Sequence, residues 1–344
     1  METFVQVSIR LPLAFAVLLV VTHCHTILAQ GLDEHFRLGK TYASREQWKE
    51  AEEHLRIYRQ ANPNSAEAVV LHARALINLN QPFDAILELE ELLAINPDSV
   101  PALKLYATLL YSTFHDSAQA EEVRVRSTKL APDDVEVWTT LGALYLAKAK
   151  YTDAIECYER ADRLVPHQPL IMAQLAYSYA KANRPAEATP KFDEALRLNE
   201  SAPDAVVYLL YADYLLGQDR YPESVSIYTK ALSLNPRLAD AYYGRASAYL
   251  KLKDWKQAEA DALAVIREAK TRKDVHILLM RIYRSLNKPE SVEEHAALLE
   301  KFTAHEQAQQ SLSRDLRLSL RTAEPLLRQG QFAEAAKHYE DIVR

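Results

Sequence analysis

The stretch Trp138-x2-Leu141-Gly142-x2-Tyr145, followed by Tyr151-x2-Ala154-x3-Tyr158-x2-Ala161 and closed by Pro166, sets the reading of this 344-residue chain. Trp138, Leu141 and Tyr145 recur at three and four residues, which places them on one stripe of a helix; Ala154, Tyr158 and Ala161 form a second such stripe. The two stripes are expected to face each other as an antiparallel pair. Gly142 and Ala154 are the small positions where two backbones can come close, with the large rings filling the space beside them. Pro166 stops the second helix, because proline brings no N–H and restricts the residue before it. A pair this short cannot bury its own apolar face and needs neighbours of its own kind.

Those neighbours recur at a step of about 34 residues. Pro63, Pro97, Pro132 and Pro236 stand in register with Pro166. Small residues pair as Gly39 with Ala51, Ala73 with Ala85, Ala107 with Ala120, Ala176 with Ala188, Ala212 with Ser224, and Ala246 with Ala258. The chain resembles a tetratricopeptide-repeat protein over nearly all of its length beyond residue 31. That resemblance implies an all-α fold, a right-handed superhelical solenoid of helix-turn-helix repeats, with about eight of them between residues 30 and 302. Residues 303–344 read as a polar helix followed by a partial terminal repeat, Gly330-x-Phe332-x2-Ala335-x3-Tyr339-x2-Ile342.

Composition agrees with a packed helical chain: six glycines, 49% hydrophobic and 26% charged residues. The net charge of -6 offers no basic excess for a phosphate backbone, so nucleic acid is not an expected partner. Arg10 precedes the apolar run Leu11 to Val21, and Ile27-Leu28-Ala29 ends in a small residue, so residues 1–29 read as a cleavable secretory signal. The run is too short for the ~20 residues a membrane-spanning helix needs, so no stable span is expected after cleavage. Cys24 follows His23 rather than the small residue a lipoprotein site wants. The expected location is outside the cytoplasm: periplasmic in a diderm bacterium, otherwise secreted or in the secretory lumen. Cys157 alone then remains, so no internal disulfide is expected and Cys157 reads as a packed, unreactive thiol.

Departures from the pattern are local. Pro82, Pro185 and Pro289 fall where second helices begin and read as start signals. One extra residue between Ala107 and Ala120 is placed in the turn near His115. Pro190 lies inside a second helix and two extra residues lengthen the link Asn199 to Asp204, so a bend and a break in the array are expected there. Met280 and Val292 stand at small-residue positions of the eighth repeat and imply looser packing.

No catalytic constellation stands out. Within the mature chain no histidines lie three or four residues apart, there is no Cys-x-x-Cys, and there is no glycine-rich phosphate loop. An enzyme is not expected, and no cofactor or metal is implied. The resemblance instead implies a concave surface lined by first helices that holds a protein or peptide segment. Residue by residue, the implied lining is Val70 and Arg74, Lys104 and Thr108, Thr139 and Ala143, Ala173 and Tyr177, Leu209 and Asp213, Tyr243 and Ser247, Ile277 and Arg281. Tyr111, Lys181 and Lys251 follow one turn further along. The family's carboxylate clamp uses Lys and Asn at such positions, and this chain lacks that set. An adaptor or assembly factor is the expected role, with a self-associating envelope scaffold, joined through its C-terminal edge, or an accessory subunit of an envelope enzyme or export machine as alternatives.

Overall fold

The structure, a computed structural model, describes residues 31–269 and 272–328. The leader with Cys24, and the terminal motif from Gly330 to Ile342, lie outside the described residues. Every regular element described is an α-helix. The chain divides into two compact units, Met1–Ala131 and Pro132–Arg344. The first holds α1 (31–44), α2 (Trp48–Ala61), α3 (Ala66–Asn78), α4 (Pro82–Ile95), α5 (Val100–Ser112) and α6 (Ser117–Leu130). The second begins with α7 (Val135–Ala147), α8 (Tyr151–Leu164), α9 (Pro169–Lys181), α10 (Pro185–Leu198) and α11 (Ala205–Gly217). It continues with α12 (Tyr221–Leu234), α13 (Ala239–Lys251), α14 (Trp255–Glu268), α15 (Lys273–Ser285) and α16 (Pro289–Arg328).

Helix boundaries follow the chemistry of the ends. Ser65, Asp134 and Asp204 accept backbone N–H groups at the starts of α3, α7 and α11. Asp116 and Asp254 do the same for α6 and α14. Pro82 and Pro185 occupy the first turn of α4 and α10, and Pro289 opens α16, as the sequence predicts. The turn inside each pair closes in one way: a residue of positive φ, then an amide that reaches back to the first helix. After α7, Ala149 stands at φ 55 and the Lys150 N–H donates to the Tyr145 carbonyl at 2.8 Å. Asn80, Asn183, Asp219 and Asn287 hold the equivalent place, where short polar side chains suit the left-handed region. The third repeat's extra residue lies in this turn, with His115 at φ 53 and the Asp116 N–H reaching Leu110.

Packing follows the small residues. Ala73, Ala85, Ala107, Ala120, Ala154, Ala176, Ala188, Ala212, Ser224, Ala246 and Ala258 are all fully buried. At Gly142 an added Cβ would meet the Tyr158 ring at 3.0 Å, so the ring itself fills the space the glycine leaves. Cys157 is buried beside it, and burial pushes its thiol up to about 12. Within each unit, second helices pack on their own first helix and on the next one, while first helices also touch first helices: α3 with α5, and in the second unit α9 with α11, α11 with α13, and α13 with α15. The strip this creates in the second unit is continuous.

Two differences from the expected boundaries stand out. The division of the chain falls at Ala131/Pro132, not between Pro190 and Asp204. α10 runs unbroken through Pro190, which stands on its exposed side. The longer link that follows is tied shut by buried Asn199, whose Nδ2 donates to the Asp204 carbonyl at 3.2 Å while its Oδ1 accepts the Asp204 N–H at 2.8 Å. By contrast α6, the last helix of the first unit, buries only Ala120, Ser127 and Thr128. The second difference is at the far end: α16 is a single helix of 40 residues and runs through residues 302 and 303, where the sequence suggests a boundary.

Candidate functional site

The first-helix strip of the second unit brings together Tyr177 and Lys181 of α9, Asp213 of α11, Tyr243 of α13, and Arg281 of α15. Tyr177 is half-buried, with the Lys181 ammonium 5.0 Å from its ring centre. Burial lowers the Lys181 ammonium, but the Tyr177 hydroxyl and the Asp213 carboxyl outweigh it, so the net shift is upward. Asp213 accepts a 2.5 Å hydrogen bond from the Tyr228 hydroxyl, and burial pushes its carboxyl up to about 6 against the opposing pull of Tyr228 and Lys181. Tyr228 reaches this point from α12 and is itself fully buried. It passes over Gly244 of α13, where any side chain would collide with its ring tip. A tyrosine in the core therefore ends in a hydrogen bond on the strip.

Further along, the Arg272 guanidinium lies 4.5 Å from the Tyr243 ring centre and is held by Asp240 at 2.5 Å and Asp274 at 2.8 Å. Arg281 is exposed one helix beyond. Lys150, Tyr151, Asp153, Lys181 and Asn183 line an open depression between the ends of α7 and α9. The strip alternates rings with cations and carboxylates, which suits a polypeptide that offers both apolar side chains and charge.

The predicted lining is only partly surface. Val70 and Leu209 are buried, each in its own core cluster, because this face of a first helix packs on the neighbouring first helix. Ala173 is fully buried for the same reason. In the first unit Arg74 is exposed, Lys104 is half-buried, and Tyr111 carries the Arg124 guanidinium 5.5 Å from its ring centre. Arg272 and Tyr228 complete the strip and were missed from the sequence; Arg272 lies in a link between repeats, outside the motif. Among the described residues no group of three or more His, Cys, Asp or Glu could hold a metal ion, and no helix is long and apolar enough to cross a membrane.

Tetratricopeptide-repeat family models match residues 42–109, 135–167 and 209–272. Anaphase-promoting complex subunit 3 of Schizosaccharomyces pombe is 22% identical over 252 residues, which is 73% of this chain and 37% of that protein. The peroxisomal targeting signal receptor of Saccharomyces cerevisiae is 33% identical over 75 residues, 22% of this chain and 12% of the receptor. The chain thus spans well under half the length of these curated relatives. A solved tetratricopeptide repeat protein from Parabacteroides merdae covers 74% of this chain and 99% of its own, with a TM-score of 0.64 at 15% identity. That likeness bears on fold alone. The small-residue pairs, the recurring turns and the three matched segments agree, and the chain carries tetratricopeptide repeats, helix pairs that serve as protein-interaction modules.

Proposed function

We propose that this chain is an exported, non-catalytic adaptor or assembly factor that holds a segment of another protein along the first-helix strip of its second unit. The carrying observation is the run Tyr177, Lys181, Asp213, Tyr243 and Arg272, in which half-buried rings alternate with charges along packed first helices. The relatives support the reading in kind: one is a subunit of an assembly and another a receptor for a targeting signal, by their names. Export rests on the leader pattern of residues 1–29. An accessory subunit of an envelope enzyme or export machine is the alternative role, which predicts co-purification with a partner at one fixed stoichiometry.

The test is photo-crosslinking in the native cell, with the crosslinker at Tyr177 and a control at exposed Glu156 of α8. A discrete partner trapped from Tyr177 and absent from Glu156 supports the reading; the same products from both sites, or none, refute it. Self-association is a second reading, favoured by the open groove between α15 and α16 lined by Met280, Ala296, Leu299, Glu300, Thr303, Ala304 and Gln307. It predicts a concentration-dependent dimer that Leu299→Glu abolishes, measured by light scattering; a monomer at all concentrations removes it.

A further inference from the structure

Two histidine pairs meet across helix pairs at the same place in the repeat. His35 of α1 and His54 of α2 approach Nδ1 to Nδ1 at 2.8 Å, and His276 of α15 and His295 of α16 do so at 2.9 Å. Each pair spans 19 residues, and in each a tyrosine of the first helix, Tyr42 or Tyr283, stacks on the second histidine with ring centres 5.5 Å apart. In the repeats between them the same two positions hold unlike pairs such as Trp138 with Cys157 and Tyr208 with Ile227. The histidine pairing therefore marks the first and last repeats described.

The geometry says what the pairs hold. Ring centres lie 5.0 and 5.1 Å apart, close to the N···N distance plus two ring radii, so the nitrogens lie nearly on the line joining the rings. Lone pairs aimed at a shared metal ion would bend that line and bring the rings closer. The arrangement fits a proton: one imidazole N–H donates to the bare nitrogen of the other. If both rings are protonated there are two donors, no acceptor, and two positive charges at contact.

The last pair is the deeper one, with His276 3% and His295 8% exposed, against Tyr283 and Phe302. Burial holds both rings below the ordinary histidine range, with His295 adding to the effect on His276 and Glu294 opposing it on His295. The other charges around it are engaged: Lys273 of α15 pairs with Glu306 of α16, and Glu259 of α14 pairs with Lys288 over the Tyr283 ring.

We propose that the His276–His295 pair is an acid-sensitive latch that closes α15 on α16 while one N–H is shared between the rings and releases when acid adds protons. The native hairpin binds fewer protons than the unfolded one, so its stability is full above about pH 6.5 and falls as pH drops below that value. The His35–His54 pair gives the first repeat the same hardware in a half-buried setting. The buried His72 differs in kind, because the carboxylates of Glu88 at 2.8 Å and Glu52 at 3.5 Å face it.

Hydrogen exchange of the full chain at about pH 7.5 and 5.5, corrected for intrinsic rates, reads the latch directly. Protection across α15 and the first half of α16 is expected to fall at least about tenfold more than protection across α11 and α12. The double variant His276→Tyr, His295→Ile installs the pair this chain uses at Tyr208 and Ile227, and it should abolish the difference. Equal protection in the parent at both pH values, or acid loss that persists in the folded variant, overturns the proposal. If the variant fails to fold, imidazole titration of the parent by NMR decides: protonation of both rings below the ordinary histidine position supports the latch, and titration at the ordinary position overturns it.

Discussion

Replacing Gly244 by alanine is expected to do damage out of proportion to one methyl group. The new Cβ would stand 2.5 Å from Cε1 of Tyr228 and closer still to its Cζ and hydroxyl oxygen, whereas ordinary contact begins at 3.4 Å. The ring tip must therefore move by roughly 1 Å, and it is fully buried with no slack beside it. Overpacking of this kind costs about 1–3 kcal/mol. The same movement breaks the 2.5 Å hydrogen bond to Asp213, and a bond to a charged group contributes about 1.5–3 kcal/mol. The two losses share one side chain and do not add, so the expected cost is about 3 kcal/mol. Gly142→Ala is the internal comparison: its Cβ would meet the Tyr158 ring at 3.0 Å, a few tenths of an ångström too near, and the expected cost is about 1 kcal/mol. Repeat arrays need not unfold in two states, so native-state hydrogen exchange across α12 and α13 is the appropriate assay. The reasoning fails if Gly244→Ala lies within about 0.5 kcal/mol of the parent, or if Tyr228→Leu is no less harmful in the Gly244→Ala background than alone.

Other outcomes follow from the same contacts. Burial pushes the Asp213 carboxyl up to about 6 in the folded chain, above the 3.8 of the free group, so the native state binds more protons and stability falls as pH rises between the two values. Asp213→Asn should therefore raise Tm at neutral pH and change it little near pH 4; an equal shift at both would contradict this. The Cys157 thiol, pushed up to about 12 by burial, should resist alkylation at about pH 8 until the chain is unfolded, as mass spectrometry would record. The Tyr158 hydroxyl is buried and has no hydrogen-bond partner among the described residues, so Tyr158→Phe should stabilise the chain by about 1 kcal/mol in the same exchange assay. Ala149→Gly relieves a side chain held at φ 55 and should stabilise the turn by about 1 kcal/mol; a loss of stability there would mean that the turn is built differently.

The repeat was legible because its marks are steric. Prolines stand where helices start or have stopped, and paired small residues stand where backbones meet, so one well-formed unit from Trp138 to Pro166 predicts the other hairpins by register. Three things escaped that logic. Val70 and Leu209 were expected at the surface, but a first helix in an array packs on its own second helix, on the preceding one and on the next first helix, so less of it faces outward than a single hairpin suggests. The link after Pro190 looked like a weak point because its insertion was visible, while the Asn199 side chain that closes it carries no motif. The histidine pairs leave no mark at the one-turn spacing of a single helix, because their partners stand on two different helices. The fold joins residues 19 apart, and only aligning His35 with His276 and His54 with His295 in the repeat register would have revealed them.

α16 can also be considered as a mechanical part. Its 40 residues make a rod of about 60 Å, while α15 with 13 residues flanks about 20 Å of it. The contact near His276 and His295 is then a fulcrum, and Arg328 lies about 50 Å from it along the rod. A rotation of about 10° at that fulcrum carries the far end roughly 9 Å, the distance between two packed helices. A small change in the last hairpin would thereby become, at the far end of a straight α16, a displacement as large as the spacing between two packed helices.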